Sequence, residues 1–149
     1  MKLVKGPRPW AVSAFALLFL SSALHTYIVG LSAIELKQNA YALLIAWEGW
    51  NRDWTIVALS AIFSIAFIPV LWIWIFASRI AFWLVTVFAA LKLADVLNMI
   101  AAYQSVGGAV SWRYFLEPAL TGAALICVWL PSSRAWLKEG GGAKNATLH

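Results

Sequence analysis

Five side chains fitted for ionic, acid–base or hydrogen-bonding chemistry interrupt otherwise apolar sequence: His25, Lys92, Asp95, Asn98 and Glu117. Three of them fall at three-residue steps in Leu91-Lys92-Leu93-Ala94-Asp95-Val96-Leu97-Asn98. On a helix that spacing puts an ammonium, a carboxylate and an amide within reach of one another. An ionisable group inside a membrane is costly, so it is usually paired or functional. Three kinds of chemistry suit the set. Asp95 and His25 would exchange a proton while Lys92 sets the carboxylate's affinity for it. Alternatively, Lys92 would hold an anionic solute or headgroup, with His25 and Asn98 donating hydrogen bonds. In the third, the groups would meet a partner subunit inside the membrane. A purely structural reading stands beside these. Lys92 would neutralise Asp95, Glu117 would pair with Arg113 four residues earlier, and His25 would be a hydrogen-bonded interior residue.

The elements that must position these groups are apolar runs. The 149-residue chain is 63% hydrophobic, 11% charged and 15% aromatic, with ten tryptophans. Soluble domains average about 45–50% apolar and about 25% charged residues. A chain of this size cannot hide so much apolar surface from water, so its solvent is expected to be lipid. The runs predict transmembrane helices over 9–31, 54–77, 80–103 and 114–131. Pro9 is tolerated in an opening turn, and Pro69 is expected to kink the second span. Short connections predict an all-α, antiparallel four-helix membrane bundle forming a single domain over 1–149.

Between the first two spans, 34–50 is too polar to cross a bilayer. Leu36, Ala40, Leu43, Trp47 and Trp50 recur at helical steps, which predicts an amphipathic helix lying in the headgroup region. A flexible polar tail is expected over 134–149, where Gly140-Gly141-Gly142 follows the Pro131 stop. A signal-peptide reading of the N-terminus is set aside because the apolar run continues well past Ala23.

Depth follows from a rise of about 1.5 Å per residue. Lys92 comes out roughly 18 Å, Asp95 roughly 22 Å and His25 roughly 24 Å from the edge that holds the N-terminus. Glu117 enters from the opposite edge. All five polar groups are therefore expected near one layer, contributed by three spans, in a core about 30 Å thick.

The formal charge of +5 comes from residues clustered at segment ends rather than along a stripe, so no nucleic-acid partner is expected. Lys2, Lys5, Arg8, Arg79, Arg134, Lys138 and Lys144 fall on one side, and Lys37, Arg52 and Arg113 on the other. The excess predicts a multi-pass inner-membrane protein with both termini cytoplasmic. Trp10, Trp72, Trp74, Trp129 and Trp136 are expected as the belt on that side. One cysteine, Cys127, excludes an intrachain disulfide. No phosphate-binding glycine loop, nucleophile elbow or metal-ligand cluster is legible, so no catalytic residues, metal or cofactor are assigned. The Arg8-Pro9 entry and the closing Leu-Pro-Ser-Ser-Arg-x-Trp (130–136) give a layout that resembles small four-span bacterial membrane proteins. Beyond the lipid bilayer, the partners expected are other membrane subunits or further copies of the chain. The leading expectation is an accessory or assembly subunit within a larger complex or homo-oligomer. The alternative is a small carrier or proton-coupled permease using the polar layer.

Overall fold

A computed structural model describes residues 4, 6–45, 48–105 and 113–141 of the chain, with the side chains of 95, 97–105 and 113–114 outside the description. The described residues form six helices and no strand. In chain order they are α1 (Trp10–Ser32), α2 (Ile34–Ile45), α3 (Arg52–Phe76), α4 (Arg79–Ser105), α5 (Arg113–Trp129) and α6 (Pro131–Lys138). By length and composition, α1 and α3 can each cross a membrane, which is consistent with membrane association. The pair α5–α6 qualifies only as one broken span, bent by 56°.

Local chemistry explains the boundaries. Pro9 precedes α1 in an extended conformation, and its carbonyl accepts the Val12 N–H at 3.0 Å. Asn51 caps α3: its side-chain oxygen accepts the Trp54 N–H at 3.1 Å, and Asp53 lies in the positive first turn. At the other end Ala77 takes a left-handed conformation, φ 47°, and returns its N–H to Ile73. Ser78 then accepts the Ala81 N–H and opens α4. Two residues therefore reverse the chain, the tight turn its sequence predicts.

Helix α1 is the structural centre, packing against α5 and α3 most extensively and also touching α2 and α6. Val12, Phe15, Val70, Ile73, Val85 and Val128 are fully buried in a core contributed by α1, α3, α4 and α5. At the opposite end of α1, Gly30 lets Leu59 close in: a Cβ there would lie 2.8 Å from Leu59 Cδ2. The outer surface is strongly apolar, with Leu17, Ile80 and Ile126 each more than three-fifths exposed. A soluble monomer rarely shows so much contiguous apolar surface.

Three details depart from the sequence-based expectations. Pro131 does not end the fold; it supplies the first residue of α6, where a missing N–H costs nothing. Residues 134–138, expected in a flexible tail, belong to this helix. Gly140 and Gly141 end it at positive φ, and Gly141 returns its N–H to Trp136 at 2.9 Å. Gly141 also packs on Val4, where a Cβ would meet Val4 Cγ2 at 2.5 Å. Residues 142–149 lie outside the described residues.

The second departure is Trp136, expected in an interfacial belt but 5% exposed within the core. The third is α2, which ends at Ile45; 46–47 lie outside the described residues and Glu48-Gly49 form a turn. No α2 residue is buried. Leu36, Leu43 and Leu44 face away from the body of the protein, while Lys37 and Tyr41 face it.

Candidate functional site

Lys92 on α4 forms an ion pair with Glu117 on α5. The ammonium also donates to Thr26 Oγ1 on α1 at 3.3 Å, and Thr26 donates in turn to the Ser22 carbonyl at 2.9 Å. One turn away, the hydroxyls of Ser22 and Thr121 share a hydrogen bond of 2.8 Å. Both hydroxyls also reach the Glu117 carbonyl, at 3.3 Å and 3.0 Å respectively. Thus α1, α4 and α5 are stitched together at one level by a continuous polar network. Ser22 and Thr121 are almost fully buried, whereas Lys92 and Glu117 side chains remain 38% and 29% exposed. Lys92 faces open space beside the network.

The space is a cavity of about 300 Å³ between α1, α3 and α4, closed on one side by α2. Its walls are mostly apolar, formed by residues such as Phe19, Leu59, Phe63, Pro69 and Val85. Its polar lining comprises Lys92, Thr26 and Tyr27 from the long helices, Lys37 and Tyr41 from α2, and the mutually bonded hydroxyls of Ser22 and Thr121. Tyr27 lies 3.4 Å from Ser60 across the α1–α3 contact and packs its ring on Phe63. Burial pushes the Tyr41 phenol above its usual value of 10.0, so it stays a protonated donor at neutral pH.

The structure therefore brings together two of the five residues singled out from sequence, Lys92 and Glu117. It pairs Lys92 across helices with Glu117. Asp95 and Asn98 lie on the α4 backbone, but their side chains fall outside the described residues, as does that of Arg113. His25 does not line the cavity, and its Nδ1 is buried with no hydrogen-bond partner among the described residues. Sequence reasoning missed Ser22, Thr26 and Thr121, as well as Lys37 and Tyr41. A signal existed for each group: Ser22 and Thr26 are four apart on one face, Thr121 follows Glu117 by four, and Lys37 and Tyr41 are also four apart.

At the opposite end of the molecule the basic residues meet tryptophans and backbone carbonyls. The Arg8 guanidinium lies 4.7 Å from the Trp74 ring centre and donates to its carbonyl. Arg134 lies 5.3 Å from the Trp129 ring, and Arg79 donates to the Lys138 carbonyl. These contacts fix cations at one rim through cation–π attraction and charge-assisted hydrogen bonds. No protein-family model, curated protein or solved structure matches the chain.

Proposed function

We propose that the chain is a small multi-pass protein of the inner membrane that works as a proton-coupled permease for an anionic solute. In this reading α1, α3, α4 and the bent α5–α6 pair form an antiparallel bundle of four spans. Helix α2 lies in the outer headgroup region with Leu36, Leu43 and Leu44 toward lipid. Both termini are cytoplasmic, a polarity supported by the cations gathered near the start of α1 and the end of α3. A reporter enzyme that is active only outside the cytoplasm should stay inactive when fused after His149. Activity there would reverse the orientation.

One observation carries the permease reading: Lys92, ion-paired with Glu117, lines a cavity within the chain itself. An anion entering that cavity competes with Glu117 for the Lys92 ammonium. Once displaced, the Glu117 carboxylate has lost its counter-charge, and in this reading it takes up a proton from water. One anion and one proton then occupy the site together, with no net charge added to the membrane interior. When the anion leaves, Glu117 releases the proton and pairs again with Lys92. The Thr26 hydroxyl keeps a hydrogen bond to Lys92 throughout, which limits how far the ammonium moves.

A second reading, an accessory or assembly subunit, is favoured by the wide apolar surface. Only 33% and 22% of the most apolar windows of α1 and α3 are buried within the chain. Native mass spectrometry after gentle extraction from the protein's own membrane separates the two. The permease reading predicts a monomer or homo-oligomer with no other subunit. Partner proteins at fixed stoichiometry would overturn it in favour of the subunit role.

A further inference from the structure

We infer that the cavity binds a single-chain fatty carboxylate, with its head between Lys37 and Tyr41 and its tail along Phe19, Ala66, Pro69 and Val85. The inference rests on the reading of the cavity as a working site and names the class of solute, in the state where Lys92 still holds Glu117 and the solute has not yet competed for it. Four observations lead to it.

The cavity is amphiphilic along its length. Its cationic and hydroxyl groups lie on α2 and on the turns of α1 and α4 around Thr26 and Lys92. Below them, from Thr26 back to Phe19 on α1, a helical rise of about 10 Å, the walls are mostly apolar, interrupted by the mutually bonded hydroxyls of Ser22 and Thr121. A solute matching this gradient has a polar head and one apolar chain of medium length.

Size sets the chain count. Ligand pockets run from about 300 to about 1,000 Å³, and this one is about 300 Å³. One alkyl chain suits it, whereas a two-chain phospholipid exceeds it.

Charge selects the head. Two ammoniums and one carboxylate line or border the cavity among the described residues. The Lys92 charge is already met by Glu117, whereas Lys37 has no ion-pair partner among the described residues. One cation is left over. A monocarboxylate balances it. A phosphate monoester, with about −1.5 to −2 charge, would leave an anionic excess, and an alcohol would leave Lys37 unmatched.

The donors are placed for a carboxylate. Lys37 and Tyr41 are four residues apart on α2 and both line the cavity, so an ammonium and a phenol are offered from one face of the helix. Each would take one carboxylate oxygen.

The test uses the full chain in phosphatidylcholine nanodiscs, photolabelled with a diazirine-bearing decanoate and mapped by mass spectrometry. The expected result is saturable labelling at the cavity residues Ile62, Phe63 or Ala66. Decanoate should compete about tenfold better than decanol, the difference one charge-assisted contact makes. Lys37→Met should erase that preference; it replaces a half-exposed residue on a helix with no buried residue, so folding is not at stake. Ala66→Trp, which fills the cavity, should abolish saturable labelling. Equal competition by decanol and decanoate in the wild-type protein would overturn the carboxylate assignment while leaving a chain-binding cavity. So would an unchanged preference in Lys37→Met. Labelling that neither compound competes would overturn both this inference and the permease reading.

Discussion

An ammonium and a carboxylate at membrane depth stabilise little as a pair, because desolvation offsets most of their attraction. What Lys92 and Glu117 provide is a defined charge state that depends on geometry. Lys92 keeps two partners, Glu117 and Thr26, so losing one does not strand it. The Glu117 side chain has the ammonium as its ion-pair partner among the described residues. Elsewhere, single residues carry backbone strain. Ala77 holds φ 47° in the α3–α4 turn, a conformation that costs a non-glycine residue about 1–2 kcal/mol. Ala77→Gly relieves that strain and loses about 0.4–1 kcal/mol through the greater freedom of the unfolded chain. The expected net effect is a gain of about 0.5 kcal/mol, read as a raised unfolding midpoint in mild detergent. A lowered midpoint would mean that the Ala77 methyl group, buried in the core, contributes more than the strain removes.

At the scale of elements, the sequence is most legible where hydropathy alone decides. The runs 9–31, 54–77, 80–103 and 114–131 correspond to α1, α3, α4 and α5 within two residues at each end. Helix α6 was hidden because Pro131 serves equally as a helix stop and as an acceptable first residue, and only packing tells the two apart. Trp136 and Leu137 bury against the core, and the Gly141–Val4 contact locks the end of the chain there. The partner of Lys92 was hidden for a related reason. Glu117 is brought to Lys92 by the register of α4 against α5, which spacing along one helix does not give. Helical rise sets Lys92 slightly deeper than the layer that holds Glu117, and the ion pair joins the two. The hydroxyls of Ser22, Thr26 and Thr121 are ordinary in apolar helices, where such groups bond to the preceding turn. Their convergence appears only once α1, α4 and α5 are placed side by side.

For the whole molecule, the centre of the architecture is α1 rather than the charged third run. Its lower half, with Val12 and Phe15, holds the dry core, and its upper half borders the cavity. The two halves divide the work: one end is sealed by α6 and a rim of cations stacked on tryptophan, the other is open beneath α2. A solute reaching the cavity from the α2 end meets Lys37 and Tyr41 before the Lys92–Glu117 pair. The central claim of the permease reading is that Lys92 supplies the counter-charge of Glu117, and that withdrawing it brings a proton to the site. Infrared spectroscopy of the reconstituted protein at pH 7 tests it without any solute. Lys92→Met should show a protonated-carboxyl band that is absent from the wild type and from the Lys92→Met/Glu117→Gln double variant. A Glu117 that remains a carboxylate in Lys92→Met would contradict the account, because an entering anion would then leave the charge on Glu117 and carry no proton.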